Sequence, residues 1–321
     1  MILKLVKIFI LLSILFNGCT EDNKTELPLA KNIFNTKKDQ IKEFYFVGKV
    51  GDKLGIFKHD FTKRKSIKFW FDRKEKVILL NYSPNLKHIY FLTAKYYGIR
   101  STLPYIKRIK LYSINLLNDE VNFIDSLMNG TQINAGWIGD NLYKVIINSR
   151  DIKVSEYINK HTFIYNSVGK ELLSKIETIN FIKEGYPLPV IKKSQIPINK
   201  NFQLIYGDSL YIFDKIKNEK HFIFYLKNLK IHKEYFNNEF LIFNTVPIAK
   251  RNIFLVYSIK KNQVIKIIEK NYIKNFIIFD DYLVYDYSLG FSSSISIFNI
   301  KKSEITDSIK INGGCGLNNV L

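Results

Sequence analysis

One short pattern recurs six times in this chain and leaves few folds open. An aliphatic residue is followed by Phe or Tyr, then by a polar turn holding Lys, Asn or Gly, then by a second strand-like run. The pairs are Ile56-Phe57 before FTKRK, Leu111-Tyr112 before LLNDE and Ile164-Tyr165 before SVGKE. They continue with Ile212-Phe213 before KIKNEK, Val256-Tyr257 before IKKNQ and Ile297-Phe298 before IKKSE. The aromatic members stand 55, 53, 48, 44 and 41 positions apart. Runs such as EFYFVGKV, KVILLNYS and NIFLVYSI are rich in Ile, Val, Phe and Tyr and read as short strands. No stretch sustains a 3.6-residue period with caps, so little helix is expected. One or two further strands precede each hairpin. Six four-stranded units are what a six-bladed β-propeller of antiparallel blades requires, with the hairpin supplying the third and fourth strands. The shrinking spacing keeps a β-sandwich, or two β domains, as the alternative, although a sandwich would not repeat one hairpin six times. The six aromatic residues are expected at equivalent depths between adjacent sheets.

A further stretch, Ser83-Pro84-Asn85-Leu86-Lys87-His88-Ile89-Tyr90-Phe91, resembles the SPDGKxIxF signature of WD40-like, TolB-type propellers. Ser83, Pro84, Lys87, Ile89 and Phe91 match, whereas Asn85 and Leu86 stand where the signature has Asp and Gly. The resemblance implies that Ser-Pro ends an innermost strand and that a tight turn leads into the next one.

The chain begins MILKLVKIFILLSILFNGCTED. Lys4 and Lys7 precede an apolar run from Ile8 to Phe16, far short of the roughly 20 residues a membrane-spanning helix needs. It reads as a signal-peptide core. Leu15-Phe16-Asn17-Gly18-Cys19 resembles the lipobox of bacterial lipoproteins. That resemblance implies removal of residues 1–18 as signal peptide and acylation of Cys19 with three chains, enough for a firm membrane anchor. Thr20, in place of Asp, resembles lipoproteins passed to the outer membrane. Glu21 and Asp22 resemble the acidic signal of surface-exported ones. The expected location is therefore the bacterial outer membrane, lipid-anchored, on either its periplasmic or its surface side. Residues 19–42 are polar and read as a tether; residues 43–321 form the propeller domain. With Cys19 acylated, Cys315 has no intrachain disulfide partner.

The formal charge of +20 falls by two, to +18, when Lys4 and Lys7 leave with the signal. Outside the cytoplasm this excess points away from nucleic acid. The lysines are spread evenly rather than clustered, and Lys, Ile and Asn are jointly enriched, so the charge reads first as compositional bias and second as a basic surface for envelope polyanions. The five histidines, His59, His88, His161, His221 and His232, show no metal-ligand spacing and have no Cys nearby. Four of them fall in or beside strand runs. Gly290-Phe291-Ser292-Ser293-Ser294 lacks the closing Gly and the following helix of a nucleophile elbow, and reads as a surface hairpin loop. Asp280-Asp281 reads as a solvated turn. No phosphate loop, dinucleotide fingerprint or calcium loop is present. Two aromatic residues stand out as candidates for a binding surface. Trp137 would either line the channel or pack between blades, and Tyr186 lies in the proline-stiffened loop Lys183–Pro189. No catalytic residue, cofactor or metal is expected. The leading reading is a membrane-held binding or scaffold module for an envelope protein or anionic glycan. The competing class is a metal-dependent hydrolase or lyase with its site in the channel.

Overall fold

Strands alone, twenty-three of them and no helix, make up the regular structure of the described residues. The computed structural model describes residues 42–317, apart from 51–52, 101–102, 139–140, 151–156, 181–194, 198–200, 208, 226–230, 237–239, 246–250, 272, 280, 290–291 and 313–315.

The strands form six antiparallel sheets taken up one after another along the chain. The first holds β1 (Glu43–Val50), β2 (Lys53–Asp60) and β3 (Lys65–Trp70). The second holds β4 (Lys76–Tyr82), β5 (His88–Arg100), β6 (Leu103–Asn115) and β7 (Glu120–Leu127). The third holds β8 (Gln132–Ile138), β9 (Leu142–Arg150), β10 (Tyr157–Asn166) and β11 (Glu171–Asn180). The fourth holds β12 (Gln195–Pro197), β13 (Phe202–Tyr206), β14 (Ser209–Asp214) and β15 (Glu219–Tyr225). The fifth holds β16 (Ile231–Phe236), β17 (Phe240–Thr245), β18 (Arg251–Ser258) and β19 (Gln263–Asn271). The sixth holds β20 (Ile273–Phe279), β21 (Tyr282–Leu289), β22 (Ser292–Asn299) and β23 (Glu304–Asn312).

The first sheet has three strands of its own, and the chain beyond β23 returns to complete it. Val47 in β1 pairs antiparallel with Gly316, and the Val47 N–H donates to the Gly316 carbonyl at 2.8 Å. Six up-and-down sheets in order, with the last tied back to the first, are a six-bladed β-propeller. The expected fold is the observed one, and the repeated hairpin supplies the third and fourth strands of every blade.

Each of these hairpins is built in the same way. The third strand ends on Asp60, Asn115, Asn166, Asp214, Ser258 or Asn299. The side-chain oxygen of that residue accepts backbone N–H groups two or three positions on, which closes the turn. The turn then passes through a left-handed residue: Arg64, Asp119, Gly169, Asn218, Asn262 or Ser303, with φ between 50° and 88°. A β-bulge follows in every hairpin. Five bulges lie at the aliphatic–aromatic pairs read from the sequence, and the fourth blade's lies two residues earlier, at Leu210/Tyr211.

The six aromatic residues do not share one depth. Tyr165, Tyr257 and Phe298 are almost wholly buried, whereas Phe57, Tyr112 and Phe213 are half-buried. In the first two blades the aromatic residue stands three positions before the turn-closing residue. The buried place beside the turn-closing residue then falls to His59 and Ile114.

Alternating side chains pack against different neighbouring blades. Ile89 and Phe91 join the core shared by the sixth, first and second blades, and Tyr90 and Leu92 join the core between the second and third. Two more cores join the fourth blade to the fifth and the fifth to the sixth. With both faces covered, these strands need apolar residues at consecutive positions, hence the continuous apolar runs in the sequence.

Candidate functional site

The ring presents two faces. The third-to-fourth turns open on one, and the second-to-third hairpins open on the opposite one. The second blade's β5–β6 hairpin is the longest of the latter among the described residues, with 13 residues in each strand. Its inner neighbour β4 pairs with β5 only as far as Ala94, and its outer neighbour β7 pairs with β6 only from Ile109 on. Beyond those points a two-stranded ribbon continues, pairing Lys95 with Lys107 and Arg100 with Leu103, with a single bridge from Ile106 to Gly130 on its outer edge. Six residues of β5 beyond Ala94 correspond to about 20 Å of extended strand.

The root of this ribbon is held from both sides. Glu75, just before β4, is 3% exposed. It accepts the Thr93 hydroxyl of β5 at 2.9 Å and pairs with Lys110 of β6 at 2.8 Å. The bond to Glu75 raises the Lys110 ammonium above its ordinary range. On the outer edge Gly130, in the connection to the third blade, exchanges backbone bonds with Ile106 at 2.8 and 3.0 Å. Asn129 accepts the Arg108 N–H at 3.0 Å, and Thr131 donates to the Asn148 carbonyl of β9. The ribbon thus springs from a base locked to two blades.

Several other polar side chains join the seams between blades. Between the first and second blades Asp119 accepts the Tyr45 hydroxyl and pairs with Lys58 at 2.5 Å, and Lys58 also pairs with Glu43 at 2.7 Å. Burial opposes the Lys58 charge, but the bonds to Asp119 and Glu43 outweigh it and the ammonium is raised. Between the second and third, Tyr165 donates to Asp125 at 2.7 Å and Tyr143 to Asn81 at 2.7 Å. Where the ring closes, Asp286, 3% exposed, accepts the Asn275 N–H at 2.6 Å and the Leu317 N–H at 2.9 Å. Beside this closure His59 of β2 faces Asp307 of β23 at 3.3 Å and contacts Ser66 at 3.0 Å. No local signal in the sequence marked Asp286, whose partners lie 11 positions before it and 31 after it.

Trp137 is packing, not surface. It is 8% exposed, and its indole N–H donates to the Asn81 carbonyl at 3.3 Å. Its ring lies against Tyr90 and Tyr143. Of its two sequence readings, contact between blades is the one realised. Cys19 and Tyr186, with the loop Lys183–Pro189, lie outside the described residues. His59 is buried, at 1% exposure. Ser292–Ser294 begin β22, with Ser293 and Ser294 buried, so this stretch is strand instead of a surface loop. Asp281, in the turn from β20 to β21, pairs at 2.6 Å with Lys301 of the neighbouring turn from β22 to β23. Ser83-Pro84-Asn85-Leu86-Lys87 does form the turn from β4 to β5, closed by Ser83 Oγ accepting the His88 N–H at 2.9 Å. Leu86 takes the left-handed conformation, φ 51°, at the signature's glycine position. Among the described residues no group of three or more His, Cys, Asp or Glu side chains is placed to hold a metal ion.

No protein-family model matches the chain, and no curated protein matches it in sequence. Solved structures resemble it at a distance. TolB from Acinetobacter baumannii aligns at 11% identity and a TM-score of 0.40, covering 88% of this chain and 66% of that one. AztD from Citrobacter koseri aligns at 8% identity and a TM-score of 0.37, covering 84% and 95%. The isopeptidase AtxE2 aligns at 8% identity and a TM-score of 0.44, with this chain spanning 46% of its length. The propeller assignment rests on the strand order and closure described above.

Proposed function

We propose that this chain is a non-catalytic binding module, held at the outer membrane of a bacterial envelope by acylated Cys19, which captures an envelope protein through its projecting ribbon. The ribbon carries the proposal: it extends past both neighbouring strands from a root fixed by Glu75 and Gly130. A rigid base lowers the ordering cost of binding. Between Lys95 and Arg108 the sequence carries Lys95, Arg100, Lys107 and Arg108, three tyrosines and no carboxylate. Tyr and Arg are enriched in protein interfaces, and the cations suit an acidic partner surface. The proposed site faces away from the third-to-fourth turns, where the chain joins the domain at Lys42.

Two variants test this reading. Cys19→Ser should lose palmitate incorporation and firm membrane retention. Replacing residues 96–105 by a two-residue Asn-Gly turn should leave the thermal transition in place and abolish salt-sensitive capture of the partner from solubilised envelope. Unchanged capture by the shortened chain would remove the ribbon from the function. Stoichiometric metal together with turnover of esters, lactones or glycans would replace the binding module by an enzyme.

A further inference from the structure

The three most exposed large apolar residues among those described occupy one repeated place. Leu117, Val168 and Ile216 are 84%, 81% and 74% exposed. Each stands two residues after the side chain that closes a third-to-fourth turn, and each gives its backbone N–H to that side chain. The equivalent positions in the first, fifth and sixth blades are Thr62, Lys260 and Lys301. Three successive blades thus raise a single aliphatic side chain from the same face, and the other three raise polar or cationic ones.

The six turns, 61–64, 116–119, 167–169, 215–218, 259–262 and 300–303, together carry eight Lys or Arg and one carboxylate. That carboxylate, Asp119, is engaged by Tyr45 and Lys58. Asp281 on a neighbouring turn pairs with Lys301. The acids nearest these turns, Asp60 and Asp214, are occupied in accepting the turns' own backbone N–H groups. Two of the turns are also tied to a strand of a neighbouring blade. The Tyr90 hydroxyl donates to the Asn166 carbonyl at 2.6 Å, and the Ser303 hydroxyl donates to the Ile265 carbonyl at 3.4 Å. The chain joins the domain on this side, where the Phe61 N–H donates to the Lys42 carbonyl at 2.9 Å.

We infer that this turn face rests on an anionic lipid surface, with Leu117, Val168 and Ile216 dipping into the headgroup boundary and the turn lysines meeting lipid phosphates. Single aliphatic tips on three successive blades, with Lys215 and Lys217 flanking the third of them and six more cations on the turns of the other three blades, suit a planar interface that takes apolar groups and attracts positive charge. A protein interface would instead favour clustered aromatic and Arg anchors and be poor in Lys. The inference rests on the membrane-tether reading for the nearness of a bilayer, and it orients the domain so that the ribbon points away from that bilayer.

The test uses the full chain with Cys315→Ser, reconstituted into phosphatidylglycerol-containing vesicles. A bimane label is placed in turn at Leu117→Cys, Val168→Cys, Ile216→Cys and, as control, Ile67→Cys on β3. Intact mass first establishes whether Cys19 carries lipid, so failure of the tether reading is scored separately from failure of this one. The expected result is blue-shifted emission, with quenching by nitroxide-labelled lipid, at 117, 168 and 216 and not at 67. Replacing phosphatidylglycerol by phosphatidylcholine, or making Lys260→Glu with Lys261→Glu, should reduce the shift several-fold. No shift at the three tips, an equal shift at 67, or a shift that appears only on adding a protein partner would overturn the inference.

Discussion

The backbone N–H of Leu317 donates at 2.9 Å to the carboxylate of Asp286, a side chain 31 positions earlier in the last blade. The same carboxylate holds the Asn275 N–H, and the neighbouring Gly316 carbonyl accepts from Val47 in the first blade. A Cβ on Gly316 would overlap the Asp286 carboxylate, so the closing strand passes where only glycine fits. Two blades distant in sequence are therefore joined through one buried acid.

Asp286→Ala would leave the Leu317 and Asn275 N–H groups without their acceptor in a buried site. A loss of roughly 2–3 kcal/mol is expected, from one buried donor and one half-buried donor at about 1–2 kcal/mol each. Gly316→Ala should destabilise the same closure. Urea unfolding measures both, and a midpoint unchanged from the parent would remove Asp286 from the closing device.

The turns can be improved as well as broken. Arg64 is exposed and holds φ 51°, a conformation that costs an L-residue about 1 kcal/mol. Arg64→Gly should raise stability by about 0.5 kcal/mol after the extra freedom of the unfolded chain is counted. Asp60→Ala removes the acceptor of the Thr62 and Lys63 N–H groups and should cost about 1 kcal/mol. If both changes shift the thermal transition in the same direction, the turn account fails.

The two depths of the repeated aromatics have separate costs. Phe298 is 0% exposed, so Phe298→Ala should lose about 3–5 kcal/mol. Phe57 is half-buried and Phe57→Ala should lose clearly less. Equal losses in denaturant melts would restore the single-depth reading.

Acid should loosen the seam between the first and last blades. Burial holds the His59 imidazole below its ordinary value near 6.5, with Asp307 and Asp60 opposing. Because the unfolded chain then binds the proton more readily, His59's contribution is present above pH about 6.5 and is lost as pH falls below it. Burial lowers His88 and His161 in the same direction. His59→Gln should flatten the fall in melting temperature between about pH 7 and pH 5. A slope that survives the substitution intact would assign the effect to other groups.

The hairpin repeat was legible because an aliphatic–aromatic pair lies at the bulge in five blades and a polar turn follows it in all six. The more regular marker, an Asp, Asn or Ser ending the third strand, was hidden among many other polar residues. Its role appears only once the turn-closing bonds are drawn. Trp137 looked like a candidate surface because it stands beside glycines in a short run, yet strand alternation does not tell which side chains face a neighbouring sheet. Asp286, Glu75 and Gly130 were not legible at all. Each acts through partners brought together by sheet pairing or ring closure, and nothing adjacent in sequence marks them. The ribbon was obscured for another reason: its strands read like any others, and only their pairing reveals that they outrun β4 and β7.

A photo-crosslinking residue placed at Arg108 or at Val168, in the full chain within its own envelope, tests the tethered binding module most directly. Arg108 lies at the ribbon root and Val168 at a turn tip on the opposite face. The expected result is a discrete protein adduct from Arg108 and lipid adducts from Val168. Protein adducts from Val168, with none from Arg108, would contradict both the binding face and the orientation assigned to it.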